Sequence, residues 1–257
     1  MKTRILWAVV CVGTCMTGCG GGSTAPEAKK ETPAAAAAPA PVADAGSITG
    51  KASFTGEKPK PRTISMDATP ACAKTHSGPI YAEDVIIAAD GSMKNVFVWI
   101  KSGLAARDYP VPSEVVKLDQ KGCIYTPHVV GVMVNQTIEI YNSDDTNHNI
   151  HPMPRLNREW NESQPPKGEV KVKKFDKEEV PPILFKCNVH PWMRAWVGVV
   201  SHPYFAVTGD DGAFELKDVP PGDYVLGAWH ERYGAMELNV KVAPKQTVAS
   251  NFTFKAQ

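Results

Sequence analysis

Past its N-terminal segment, this chain of 257 residues has no continuous apolar stretch approaching the ~18 residues that a membrane-spanning helix needs. That excludes a polytopic helical membrane protein. It also lacks charge of one sign: 28 Lys and Arg face 27 Asp and Glu, a formal +1. No strong field therefore draws it to nucleic acid or to an anionic membrane surface, and nucleic acid is not an expected partner. No apolar pattern of helical period runs longer than two turns, which turns the reading away from helical folds. Cys-x-x-Cys-His is absent, so covalently attached haem is excluded. Cysteine is scarce, six in all, and the positions of those six carry more meaning than their number.

What is present begins with a secretion signal over residues 1–18. Lys2 and Arg4 precede an apolar run from Ile5 to Val12, and Met16-Thr17-Gly18 lead into Cys19. The segment resembles a bacterial lipoprotein signal, cut just before a lipid-modified Cys19; an ordinary signal peptide cut elsewhere is the alternative. Acyl chains on Cys19 imply durable membrane anchoring. Gly20 after that cysteine suggests the outer membrane, facing the periplasm or the cell surface. Residues 19–45 are Gly, Ser, Ala, Pro, Lys and Glu with almost no bulky apolar side chain, so they bury too little to offset the entropy of ordering and read as a disordered Ala/Pro-rich tether.

Cys11 and Cys15 leave with the signal and Cys19 carries the lipid, which leaves Cys72, Cys123 and Cys187. An odd number in an oxidising compartment suggests one pair and one thiol with another task. Cys72 and Cys123 are the expected disulfide, because Cys187 sits among metal-ligand residue types and the other two do not. Three unpaired buried thiols are the alternative.

From residue 46 onward, short alternating or β-branched runs read as half-buried strands: Asp84-Val-Ile-Ile-Ala-Ala, Val96-Phe-Val-Trp-Ile, Thr137-Ile-Glu-Ile-Tyr, Trp196-Val-Gly-Val-Val and Glu237-Leu-Asn-Val-Lys-Val. Turn residues separate them at Asp90-Gly91, Asp210-Asp211-Gly212 and Pro220-Pro221-Gly222-Asp223. The fold class is all-β, built from sandwiches. The stretch Thr208-Gly-Asp-Asp-Gly-Ala-Phe-Glu-Leu followed by Val219-Pro-Pro-Gly-Asp-Tyr-Val-Leu resembles the carboxypeptidase regulatory-like (transthyretin-like) sandwich, placed at 201–257. The opening strand expected for that family looks like Ser47-Ile-Thr-Gly-Lys-Ala-Ser-Phe-Thr-Gly, far upstream. Residues 46–200 then form the other region. Either 46–105 belongs with it, or 46–105 packs with the C-terminal sandwich and the middle is inserted.

The chemistry lies in the middle. Asn142-Ser-Asp-Asp-Thr-Asn-His148-Asn-Ile-His151 is followed, after a loop-rich stretch, by Phe185-Lys-Cys187-Asn-Val-His190-Pro-Trp-Met193. Two imidazoles and a thiolate, with a weak thioether, are the donor set of a mononuclear blue-copper centre. The Cys-x-x-His-x-x-Met spacing, Pro191 and the His-Asn-Ile-His string resemble the cupredoxins, in the amicyanin-like form of their ligand loops. The resemblance covers about residues 130–200 and implies a Greek-key sandwich holding one type 1 copper ion. It implies His148, Cys187, His190 and Met193 as ligands, and Asn149 as the residue tying the two ligand loops together. Pro191 and Trp192 are expected to flank a solvent-side His190 and form an apolar rim for docking of a redox protein partner.

Each residue has a plainer reading beside this one. His148 as a turn histidine, Met193 as a core side chain beside a three-ligand metal, and Cys187 as a buried thiol are the alternatives. His151 is an odd number of residues from His148 on a strand and is expected to point to the other face. His76, His128, His202 and His230 are read as packing or surface residues. Zinc accepts the same donors, and only Met193 argues against it. A hydrolase with a cysteine nucleophile lacks an oxyanion device between Cys187 and His190. The expectation is a membrane-tethered electron carrier rather than an enzyme; a non-redox binding or adhesion lipoprotein and a copper storage or delivery protein are the alternatives.

Overall fold

The structure, a computed structural model, describes residues 42–256. The secretion signal, Cys19 and the tether as far as residue 41 lie outside the described residues. Among the described residues no helix is long and apolar enough to cross a membrane, and the one α-helix is the four-residue turn Pro70–Ala73. The protein is all-β, its strands arranged in packed sheets.

Two four-stranded sheets enclose one core. In the first, Gly46–Thr55 runs antiparallel to Ala213–Val219 and parallel to Thr247–Ala249 and Phe252–Lys255. The second has the order Phe205–Val207, Phe97–Ser102, Gly222–His230, Gly234–Val242. Ile48, Ile100, Phe214, Leu226 and Phe252 meet between them, all nearly or fully removed from water. Strands from both sides of the middle segment therefore share sheets.

The strands of residues 116–200 form a separate pair of sheets. One has the order Glu162–Gln164, His148–Met153, Glu179–Lys186, Arg194–Val200, Val129–Met133. The other runs Lys171–Lys173, Ile138–Asn142, Val116–Gln120, Tyr125–Thr126. Leu118, Ile138, Ile140, Ile183 and Phe185 fill the space between. Alternation explains their placement: in Ile138–Asn142 the buried residues are the first, third and fifth.

The run Asp84-Val-Ile-Ile-Ala-Ala is not a strand. It makes only an isolated bridge, Ile87 to Met93, because Asp84 is held by Arg62 and Arg232 at 3.6 and 3.5 Å and the chain turns at Asp90, whose carboxylate accepts from the Ser92 N–H and hydroxyl.

A third apolar cluster joins the two sandwiches, with Phe97 and Trp99 from one side, Val129 and Val200 from the other, and Trp229. Gly131 and Gly198 are cross-strand partners, and their missing side chains make the surface on which Phe97 lies. A Cβ on Gly198 would stand 2.5 Å from Phe97 Cζ, and one on Gly131 2.8 Å from Phe97 Cε2. We expect Gly198→Ala to cost about 1–3 kcal/mol through overpacking and Phe97→Ala about 3–5 kcal/mol through the cavity left behind. Urea denaturation of the two variants checks this; a midpoint unchanged in both would mean that the joint is slack.

Candidate metal centre

Three segments of one sheet converge. His148 opens the strand His148–Met153, Cys187 follows Glu179–Lys186, and Met193 precedes Arg194–Val200. These strands are hydrogen-bonded neighbours, with Lys186 opposite both His151 and Arg194, so the two loops emerge side by side. The Cys187–Met193 loop is closed on itself: the Met193 N–H donates to the His190 carbonyl at 2.9 Å, and the Cys187 N–H to the Met193 carbonyl at 3.3 Å.

The side chains meet in a buried group. Nδ1 of His148 lies 2.9 Å from Nδ1 of His190, and Cys187 Sγ lies 3.9 Å from the same His190 nitrogen. One donor atom from each of the three falls within 4.8 Å of the others. His148, Cys187 and His190 are 0%, 2% and 1% exposed, and Met193 is fully buried in the same apolar cluster as Cys187. Cys187 is a free thiol, whereas Cys72 and Cys123 are joined to each other.

Asn149 bridges the loops. Its Oδ1 accepts from the N–H groups of Asn188 and Val189, and its backbone N–H points at Cys187 Sγ, 3.5 Å away. His151 turns out of the cluster to Glu159 and Asn188. His76 binds the Gly122 carbonyl at 2.7 Å.

His190 is not on the solvent side. Its Nε2 lies 3.5 Å from Cys72 Sγ of the disulfide, and the Trp192 ring covers it at 5.1 Å between centroids. Trp192 is itself fixed by its indole N–H, which donates to the Cys123 carbonyl at 2.9 Å. Pro191 is exposed and Trp192 half-buried. The expected exposed imidazole fails because the disulfide-bearing segment folds over the ring, and no sequence pattern announced that contact.

Asp144 is the residue that sequence reasoning passed over. It is 6% exposed and accepts from three donors: His148 Nε2 at 2.8 Å, the Gly122 N–H at 2.6 Å and the Cys123 N–H at 2.7 Å. The available signal was an acidic pair four residues ahead of His148. Tyr125, 1% exposed, donates to the Asn149 carbonyl at 2.9 Å and stiffens the same strand from below.

The electrostatics push Cys187 and His190 toward the form that binds a metal and His148 toward its charged form. Burial alone would raise the Cys187 thiol, but His148 and the N–H groups of Asn149, His190 and Val189 outweigh it and hold the pKa below the ordinary value. Burial pulls His148 toward neutrality, yet Asp144 and the Cys187 sulfur leave its pKa raised. His190 is lowered, by burial and then by the His148 charge. A metal binds thiolate and neutral imidazole, so the shifts at Cys187 and His190 favour uptake, whereas any proton on His148 must leave as a metal enters. Two ring nitrogens and a thiolate suit a soft or borderline cation and not an oxygen-seeking one.

No protein-family model matches the chain, and no curated protein matches it. Among solved structures it is similar to a copper-containing nitrite reductase from Thermus scotoductus SA-01, 18% identical over 38% of this chain and 25% of that one, with a TM-score of 0.31. It is also similar to a purple cupredoxin from Nitrosopumilus maritimus, 20% identical over 33% of this chain and 98% of that one, TM-score 0.28. Amicyanin from Paracoccus versutus is 20% identical over 40% of this chain and 96% of that one, TM-score 0.30. The chain spans about a quarter of the nitrite reductase's length. Superpositions this partial leave the function to be argued from the side chains.

Burial tends to raise the Asp144 pKa, but its bonds to His148, Cys123 and Gly122 hold it below the ordinary 3.8. A depressed carboxyl stabilises the fold fully above its unfolded pKa, and that contribution is lost as pH falls through the lower folded value. We expect Asp144→Asn to cost about 1.5–3 kcal/mol in the metal-free protein at pH 6, and the gap between variant and wild type to narrow as pH falls below 4. Denaturant midpoints measured from pH 6 to pH 3 check both statements; a gap independent of pH would remove the charge from the account.

Proposed function

We propose that this protein is an extracytoplasmic electron carrier with one blue-copper site, held to a bacterial membrane through a lipid on Cys19. The observation that carries the reading is the convergence of the His148 and His190 Nδ1 atoms with Cys187 Sγ inside a buried pocket of the sheet. In this reading His148, Cys187 and His190 hold the ion and Met193 supplies the weak fourth contact. A copper ion bound there supplies a one-electron couple between Cu(I) and Cu(II).

The protein's own contribution is rigidity and exclusion of water. His148 and Cys187 stand at the ends of adjacent strands, Asn149 locks one loop to the other, and Asp144 fixes the first ring from outside. Donors held this firmly move little when the charge changes. Trp192 is the half-buried group in contact with the His190 ring, and in this reading it is the way out for the electron. The partner is a redox protein or molecule, and neither donor nor acceptor is a nucleic acid. The secretion signal and Cys19 support placement outside the cytoplasm, and the likeness of residues 201–257 to a carboxypeptidase regulatory-like sandwich supports a supporting module there.

Titration of the protein with Cu(II), followed by visible spectroscopy, tests the reading. One equivalent is expected to produce an intense thiolate-to-copper band, and Cys187→Ser to abolish it. A wild-type protein that takes up copper without that band sinks the proposal. Trp192→Ala should leave the band in place while slowing electron exchange with a redox protein about tenfold; loss of the metal in that variant would mark Trp192 as structural.

A further inference from the structure

A cavity of about 220 Å³ lies beside the ligand loop, lined by Trp192 and Met193 and by His128, Glu83 and Glu231. The last three belong to nothing described so far. His128 is 7% exposed, and its Nε2 is bonded to the carboxylate of Glu231, which follows the strand Gly222–His230 of the other sandwich. A carboxylate only accepts, so in the neutral ring the proton sits on Nε2 and Nδ1 carries a bare lone pair.

Among the described residues, that Nδ1 has no hydrogen-bond partner. The Glu83 carboxylate stands 4.0 Å from it, beyond bonding reach. His128 and Glu83 both line the cavity, so the ring's Glu83 side faces its space. An imidazole pinned by a buried carboxylate on one nitrogen and left open on the other is the arrangement of a hydrogen-bond or proton acceptor awaiting a donor. Burial would raise the Glu231 carboxyl, but its bond to His128 holds it low, so it stays charged.

The rest of the lining narrows the ligand. Arg62 and Arg232 share the single carboxylate of Asp84, and Arg194 has no acidic partner among the described residues. Glu83 and Arg194 are then the lining charges without a close opposite partner, and the exposed Arg194 guanidinium suits an anionic substituent placed away from Glu83. Trp192, Tyr81 and Ile124 supply faces for a flat apolar body. The volume falls below the ~300–1,000 Å³ of drug-sized sites, which limits the guest to about one ring.

We propose that this cavity is a binding site for a small single-ring phenol carrying an anionic substituent, with the hydroxyl donating to His128 Nδ1 and the anion meeting Arg194. Binding itself is independent of the metal. A reducing phenol held there lies against Trp192, and only that consequence rests on the electron-carrier reading.

Calorimetric titration of the full chain without added metal, using 4-hydroxybenzoate and benzoate as probes, tests the site. One 4-hydroxybenzoate per chain is expected, bound about fivefold more tightly than benzoate, the worth of one net hydrogen bond. His128→Ala should erase that preference, Glu231→Gln should reduce it, and Arg194→Ala should weaken both probes alike. The wild-type comparison of the two probes needs no variant, and a shift of the His128 ring resonances on adding 4-hydroxybenzoate gives a second readout. Absence of saturable binding by the wild-type protein, or a preference that survives in His128→Ala, overturns the proposal. Cys187→Ser should bind the phenol as wild type does, so a protein that shows no copper band yet binds 4-hydroxybenzoate defeats the electron-carrier reading and leaves this one standing.

Discussion

The arrangement of the donor cluster depends on one carboxylate. Asp144 brings a negative charge into a place where only 6% of its surface meets solvent, an unfavourable step unless every lone pair is used. It is offset by three donors, two of them backbone N–H groups of residues 122 and 123 and the third the outer nitrogen of His148. The same segment carries the disulfide whose other sulfur rests on His190. Both imidazoles are thus held from behind, His148 through residues around Cys123 and His190 by the cysteine bonded to it, and their Nδ1 atoms are left to face each other. Without that grip, two buried rings at 2.9 Å would have no reason to keep this orientation.

The wider fold serves the same end. His148 opens one strand, and Cys187, His190 and Met193 lie on the short loop between two neighbouring strands of the same sheet, a loop closed by its own backbone hydrogen bonds. That sheet is buttressed on its far edge by the second sandwich, where Phe97 occupies the hollow left by Gly131 and Gly198. Packing of this density transmits strain and does not absorb it. The second sandwich also contributes Glu231 to the cavity beside the ligand loop, so its role extends past support.

The sequence was most informative where chemistry is local. The run 137–141 declared itself by alternation and 196–200 by its β-branched valines, and Cys187, His190 and Met193 fall close enough together for spacing alone to suggest a shared task. The link to His148 needed only the end of a strand. What stayed illegible was long-range: that Cys72 would lie against His190, 118 residues away, that strand Gly46–Thr55 would pair with strands beyond residue 212, and that Glu231 would seize His128. The run at 84–89 misled because its β-branched residues look like a strand while Asp84 is claimed by two arginines. Asp144 was hidden for a different reason, since an acidic pair in a turn is ordinary and only its three donors make it special.

In the electron-carrier reading proposed above, burial of His190 changes what an electron must cross. With the imidazole edge at the surface, a partner could approach the ring directly across a small apolar patch. Here the ring is 1% exposed and its neighbours are a disulfide, which offers no polar handle, and an indole. Trp192 reaches the half-buried rim of a cavity furnished with a carboxylate-held imidazole and an unmatched arginine. In the two readings proposed above, a single ring enters this hollow, whereas a protein partner meets the half-buried Trp192 from outside it. The segment around Cys123 thus does two things at once: it covers the ligand loop, and through Ile124 and Tyr125 it lines the hollow beside it.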